Sequence, residues 1–375
     1  MLEIDVIRAR EAFLGLEPEW DMLVNSMPRP SPFLTHAWIA TWLNHYADGH
    51  EPSIVVARRH GRIVGALPLM TTRTTWLRTL EFIGGSHSAL ADILLAPEEQ
   101  EAGAALVQRA RRIPHDAAKL YGLPSASQLE RLTGRGLHFL ERAEAPVLDL
   151  AESWETVYTS KTSKRTRSLH RRRRRQLAKL GPLEVGVARN PAELPAALEE
   201  AFRLHRMRRA DLPDASGFTT VRGMAFHRDV IRHLASRDIA RIVLMRLSGE
   251  AIAFHYFLAL AGRMYVHCLG FDPAYARFSP GLLTTLDAIG FADREGLSRV
   301  EFLGGAERYK VELADRFEPM HQGIGWGATR RGSIAVACAR GAITARQRVK
   351  KSPRVHRAYV KYLATVRRIW RRTGA

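Results

Sequence analysis

The chain has 375 residues, 46% hydrophobic and 25% charged, with a formal net charge of +19. That much apolar material excludes a disordered chain, and 28 Gly and 18 Pro scattered along it exclude a fibrous one, leaving a globular protein long enough for two domains. Two cysteines, Cys268 and Cys338, are too few for a disulfide framework or a four-cysteine zinc site, so a reducing, cytoplasmic setting and no metal are expected.

The opening Met1-Leu2-Glu3-Ile4-Asp5-Val6 places acids where a secretory signal needs a basic end and an apolar stretch, so no export is expected. The longest uncharged run, 30–47, contains Ser31, Thr35, His36, Thr41, Asn44 and His45 and is too polar for a membrane span. Hydrophobic periodicity predicts helices over 12–24 and 34–46, then strands over 53–57 and 63–69 joined by the turn His60-Gly61-Arg62. A helix over 98–112 and a strand over 119–122 follow. Lys161 to Leu180 contains 10 Lys or Arg and no acid; Leu169, Leu177 and Leu180 share one side of a helix there, stopped by Gly181-Pro182.

The same order of elements then recurs. Helices are expected over 192–209 and 220–236, strands over 241–245 and 251–260 around the turn Ser248-Gly249-Glu250, a strand over 264–270, a helix over 281–295 and a strand over 299–303. This predicts an α/β chain of two copies of one unit, each a mixed central sheet flanked by helices. The units are residues 1–150 and 183–330, joined by a basic linker helix (151–182) and followed by a basic tail (331–375). Arg330 to Ala375 holds 14 Lys or Arg and no acid. Over 354–372 the residues Val355, Tyr359, Tyr362, Leu363, Val366, Ile369 and Trp370 form an apolar stripe opposite Arg and Lys, which suits peripheral attachment to an anionic inner-membrane surface. The rest of the chain has slightly more acids than bases, so affinity for nucleic acid or anionic lipid would reside in these two segments.

The densest chemistry lies in Gly270 to Leu283 and Val300 to Lys310. A strand runs into a turn, and a helix opens at Ser279, a good N-cap, with Pro280 at its first position. Free backbone N–H groups at the positive end of that helix suit a phosphate, with Arg277 as an added donor. Arg277, Phe278, Ser279, Gly281 and Leu282 are therefore the candidate phosphate-binding residues.

This region resembles the GNAT acyltransferases, in particular the CelD/BcsL acetyltransferase branch, through Asp272, Pro273, Tyr275, Ser279, Pro280, Gly281, Phe302, Leu303, Gly304, Glu307, Tyr309 and Lys310. The run 32–38 and Gly65 to Leu69 are similar to that branch's opening module, so the likeness spans most of residues 30–325. The peptidoglycan aminoacyltransferases of the FemABX group are similar in tandem layout. The resemblance implies two GNAT-like modules and acyl transfer from acetyl-CoA or another acyl-CoA, without metal, to a small-molecule or glycan-precursor acceptor of the cell envelope or exopolysaccharide. The FemABX likeness implies aminoacyl-tRNA as the alternative donor. One departure bears on this: counted from Arg277, the GNAT pyrophosphate pattern R/Q-x-x-G-x-G/A meets Pro280 and Leu282, and Pro280 lacks an amide hydrogen.

Acyl transfer to an amine needs a base, donors for an oxyanion and an acid for the leaving group. Glu301, His255 and His267 are candidate bases on strands, Glu307 and Tyr309 fall within the family pattern, and Asp272, Tyr275 and Lys310 are candidates for substrate binding. A third reading, a non-catalytic nucleic-acid or membrane adaptor, rests on the two basic segments. Retention of Glu307, Tyr309 and Lys310 argues for the enzyme.

Overall fold

The protein is described by a computed structural model over residues 1–134, 136–209, 216–305 and 307–351, with side chains as far as residue 345. The stripe expected over 354–372 lies outside the described residues. The first half runs β1 (Leu2–Ile7), α1 (Arg10–Leu14), α2 (Glu17–Ser26), α3 (His36–Tyr46), β2 (His50–Pro52), β3 (Ile54–Arg59), β4 (Arg62–Leu67), β5 (Leu69–Arg73), β6 (Arg78–Phe82), β7 (Leu94–Leu95), α4 (Gln100–Arg111), β8 (Ala117–Pro124), α5 (Gln128–Thr133) and β9 (Leu137–Asp149). The basic linker is α6 (Trp154–Lys161) and α7 (Lys164–Ala178). The second half runs β10 (Leu183–Ala188), α8 (Leu194–Arg209), α9 (Val221–Ala235), β11 (Ala240–Leu247), β12 (Glu250–Leu260), β13 (Arg263–Phe271), α10 (Pro280–Arg294), β14 (Arg299–Glu301), α11 (Arg308–Leu313), β15 (Arg316–Gly325) and α12 (Arg330–Lys351).

Helix starts follow local chemistry. Thr35, Ser153, Ser163 and Thr220 accept from backbone N–H groups three residues on and cap α3, α6, α7 and α9. The helix expected over 12–24 is two helices, because the chain turns at Gly15-Leu16 before Glu17-Pro18 restarts it. Between 70 and 97, where the sequence suggested no element, the β5–β6 hairpin forms.

Two sheets result, β1-β3-β4-β7 and β10-β11-β12-β13-β14-β9-β15-β8-β6-β5-β2. Both halves carry an antiparallel hairpin with a bulge, β3–β4 and β11–β12–β13, and a parallel pair, β6–β8 and β13–β14. The last strands cross over. β9, from the first half, pairs with β14 of the second, while β15, from the second half, pairs with β8 of the first; β9 and β15 pair with each other along ten positions. The long sheet is thus shared by both halves.

The core is shared as well. Trp38 of α3 packs edge-on to Phe226 of α9, ring centroids 5.2 Å apart, within one buried cluster that draws on both halves. Arg29, ahead of α3, donates to the fully buried Glu301 carboxylate at 2.7 Å and lies 2.7 Å from Glu318, while Arg263 takes the other Glu301 oxygen at 2.9 Å. The Tyr265 hydroxyl bonds to the Pro30 carbonyl.

Two outcomes follow. Removing one partner from a buried carboxylate leaves it under-compensated, so Arg29→Met should lower unfolding free energy by about 3 kcal/mol in urea titration. Residues 1–150 expressed alone leave β9 without either neighbour and β8 without β15, so that fragment should aggregate or be digested rapidly under proteolysis conditions that the whole chain survives.

Candidate active-site cleft

β13 and β14 are parallel neighbours over three pairs, Arg263 with Arg299 to Tyr265 with Glu301, and then part. Beyond that point β13 stays on β12, but Tyr256 faces Cys268 and Phe257 faces Val266, so His267 is an extra residue with no cross-strand partner. Such a bulge re-aims a side chain and frees backbone groups. β14 turns away through Leu303 and Gly305, both at positive φ, into α11. Between the parted strands lies a cavity of about 420 Å³, walled by Val266 to Leu269 on one side and Phe302 to Gly304, Glu307, Tyr309 and Lys310 on the other. His205, Arg208 and Arg209 of α8 and Ala89 of the first half close it.

His267 sits edge-on to Tyr256 and Trp38, at 5.0 and 5.5 Å between centroids. Its Nε2 is buried and meets no hydrogen-bond partner among the described residues. Burial first, then the neighbouring His87, lowers its pKa to about 4, so it is a neutral imidazole at physiological pH. The Tyr309 hydroxyl is buried beside Thr285, and burial first, then the Glu307 charge, raises its pKa; it reaches no partner in hydrogen-bond geometry and keeps its proton.

His255 faces α10 and does not line the cavity. The Thr285 hydroxyl donates to the Gly281 carbonyl at 2.9 Å, so it accepts from His255 Nδ1, 3.1 Å away, which assigns the hydrogen to Nδ1 and leaves Nε2 a bare, buried lone pair. Burial, then Lys310, takes its pKa to about 3. The Lys310 ammonium is engaged: Gly304 and Phe302 carbonyls accept at 3.0 and 3.4 Å, and Glu307 lies at 3.0 Å. Glu301 is outside the cavity, both oxygens held by Arg29 and Arg263.

None of Arg277, Phe278, Ser279, Gly281 and Leu282 walls the cavity; the candidate anion-binding turn connects to it through Thr285, one turn along α10, which lies beside Tyr309. Asp272 accepts from Ala274 N at 2.9 Å and starts a 3₁₀ turn over 273–278. Tyr275 packs in the small cluster with Leu177 and Leu283, so Asp272 and Tyr275 build the turn and do not line the cavity. Ser279 takes a left-handed conformation, φ 53°, and its side chain caps nothing. A Cβ on Gly281 would lie 2.9 Å from the Phe271 ring, so glycine lets the helix start approach β13. Leu282 is half-buried, and the exposed Arg277 guanidinium lies 4.6 Å from the Phe278 ring centroid.

Sequence reasoning missed His205. Its Nε2 meets Ser216 Oγ at 2.9 Å and its Nδ1 lies 3.5 Å from Cys268 Sγ. Burial, then Arg209 and Arg208, lowers His205 to about 4, and burial pushes the Cys268 thiol up to about 12. The pair is therefore thiol and neutral imidazole, not an activated thiolate. Only the helical phase of α8, with Leu198, Ala201, Phe202 and His205 on one side, pointed to it. Among the described residues no three His, Cys, Asp or Glu side chains are grouped to hold a metal ion.

A second cavity, of about 670 Å³, lies between 95–100 and 124–128 of the first half and Arg263, Arg299 and Glu318 of the second. There the helix start is Glu98-Glu99 instead of Ser279-Pro280-Gly281, and Arg59 grips Glu99 at 3.1 Å. Carboxylates at a helix N-terminus already occupy the place an anion would take.

The sequence profile described as an acetyltransferase (GNAT) domain matches residues 164–311, the stretch that contains α7 and every residue lining the cleft except Ala89. Three solved structures are similar over nearly the whole chain. FemX shares 12% identity at a TM-score of 0.60, covering 86% of this chain and 96% of that one. The C-terminal domain of a putative lysylphosphatidylglycerol synthetase from Agrobacterium fabrum shares 12% at 0.54, covering 88% and 96%. L-PGS from Bacillus licheniformis shares 10% at 0.55, covering 88% and 94%. The chain has a mixed α/β fold of two tandem GNAT-like modules. No curated protein sequence matches it.

The buried imidazoles set a pH dependence. His205, His255 and His267 titrate near 6.5 when unfolded but only near 3 to 4 when folded, so the unfolded chain binds more protons in between and stability falls as pH drops below about 6.5. The urea midpoint should decline from pH 6.5 toward pH 4. His255→Asn should decline less steeply over that window.

Proposed function

We propose that the chain transfers an acyl group, most simply acetyl, from coenzyme A to an amine or hydroxyl of a cell-envelope or exopolysaccharide precursor, as in the CelD/BcsL branch. The observation that carries this is the cleft itself. A bulged strand and a parted parallel neighbour wall one cavity, and two of its lining residues, His267 and Tyr309, each carry a buried polar atom without a partner among the described residues.

Bound acyl-CoA would supply the activated carbonyl, with Gly281 and Leu282 amides and Arg277 suited to its pyrophosphate. The neutral His267 takes, directly or by way of a water, the proton that the attacking amine or hydroxyl loses, and passes it to solvent, from which Tyr309 is reprotonated at the end of the turnover. Backbone N–H groups at the His267 bulge face the developing oxyanion. As the carbon–sulfur bond breaks, Tyr309, held protonated by its burial, gives its proton to the thiolate. Glu307 and Lys310 hold the wall that carries Tyr309, and Arg208 lies at the cavity rim for an acidic acceptor group. The first half, with Glu98-Glu99 at its helix start, shapes the acceptor side.

A second reading, transfer from aminoacyl-tRNA, is favoured by α7. This helix packs against the 273–278 turn, and its exposed Lys164, Arg165, Arg171, Arg172 and Arg175 have no acidic partner among the described residues, whereas Arg174 is held by Asp287 at 2.7 Å. Thermal shift against acetyl-CoA, longer acyl-CoAs and charged tRNA separates the donors. Stabilisation by a CoA thioester is expected, and stabilisation by tRNA alone would reverse the choice. With the donor fixed, Tyr309→Phe should lower kcat by about 10²-fold with little change in KM, and unchanged turnover would remove Tyr309 from the chemistry.

A further inference from the structure

Asp116, where β8 begins, ties three elements together at one end of the long sheet. Its carboxylate accepts from Arg78 N at 2.8 Å, Thr329 Oγ1 at 2.8 Å and Arg331 Nε at 3.0 Å. A Cβ on Gly332 would lie 1.8 Å from its carbonyl oxygen, so the first turn of α12 is seated directly on β8. Two residues before Arg78, the β5–β6 turn presents Trp76, 79% exposed, although Trp20, Trp38, Trp42 and Trp326 are all buried. One turn beyond Arg331, Ile334 is 65% exposed. Ala337, Cys338, Gly341 and Ala345 continue that exposed side of α12.

Cations lie at the same end of the sheet. Arg111 and Arg112 at the end of α4, which leads into β8, and Arg330 and Arg340 on α12, which leads out of β15, are exposed and have no acidic partner among the described residues. An indole and an aliphatic side chain facing water at an arginine-rich end cost free energy in solution, yet they match the boundary between headgroups and acyl chains. A nucleic acid would use the arginines and could stack on the indole, but it offers nothing to Ile334 or the small apolar residues that follow. The charge and the apolar groups together therefore select lipid.

The orientation agrees. β15 runs antiparallel to β9, which runs antiparallel to β14, and β14 is parallel to β13. The end of β15, from which α12 departs, therefore points the same way as the ends of β13 and β14, where the cleft opens. We propose that the Trp76 turn and the first three turns of α12 form a docking edge for an anionic phospholipid surface, with Trp76 and Ile334 entering the interface and Arg111, Arg112, Arg330 and Arg340 meeting lipid phosphates. This surface is independent of the acyl donor and of residues 354–372.

The test uses the full chain and vesicles of phosphatidylcholine, either alone or with about one third phosphatidylglycerol. Wild type should sediment with the anionic vesicles only, and less as salt rises. The double variant Trp76→Ser, Ile334→Ser removes exposed groups outside the cleft. It should lower the partition coefficient by about tenfold with an unchanged thermal midpoint. As a second readout, brominated phosphatidylcholine mixed into the anionic vesicles should quench wild-type tryptophan emission more than that of Trp76→Phe. Equal partitioning of wild type and double variant, equal quenching in wild type and Trp76→Phe, or loss of RNA-duplex binding in the double variant with vesicle binding intact, would each overturn the proposal.

Discussion

The Lys310 ammonium, set on the carbonyl oxygens of Phe302 and Gly304 and on the Glu307 carboxylate, is the contact on which the cleft depends. Where two parallel strands part, backbone groups on the facing edges lose their ladder partners, and an unmet carbonyl in a buried place is costly. Lys310 supplies those bonds from the side chain. The opposite edge of the same segment is met by the other half of the molecule, where Phe302 N donates to the Pro146 carbonyl at 3.1 Å in β9. The segment that leaves β14 therefore has its backbone met on both of its edges, which leaves the free backbone groups of the gap on the β13 bulge.

This arrangement explains why the two halves exchange their last strands. β14 is only three residues long and could not hold its place against β13 alone. β9 supports it from beyond, β15 supports β9, and the Arg29–Glu301 pair fastens the first half to the end of β14. The same fusion buries the walls of the cleft, which keeps His205 and His267 neutral and Tyr309 protonated. The chemistry proposed for the cleft is thus a consequence of how the halves are joined.

Much of this was legible in the sequence because it depends on local rules. Periodicity located α8 to α10 and β11 to β13 within a few residues, and the strand-turn-helix at 270–283 announced an open helix start. The exchange of β9 and β15 was not legible, since both strands would show the same pattern paired either way. Single residues fared unevenly for the same reason. Tyr309 and His267 lie in the cavity, as the pattern and strand position suggested. Glu301 and Lys310 carry the right chemistry, but Arg29, 272 positions away from Glu301, and two backbone carbonyls engage them. His205 and Cys268 meet only because α8 crosses β13, which no spacing within either segment reveals.

The central claim is that the donor's reactive carbon sits between the parted ends of β13 and β14. A crystal structure with a non-transferable acyl-CoA analogue, its thioester sulfur replaced by methylene, tests this most directly. The account predicts the acyl carbonyl at the His267 bulge, the methylene within reach of the Tyr309 hydroxyl and the pyrophosphate at Gly281 and Leu282. An analogue seated instead in the first-half cavity beside Glu98 and Glu99, with the β13–β14 cleft empty, would contradict it.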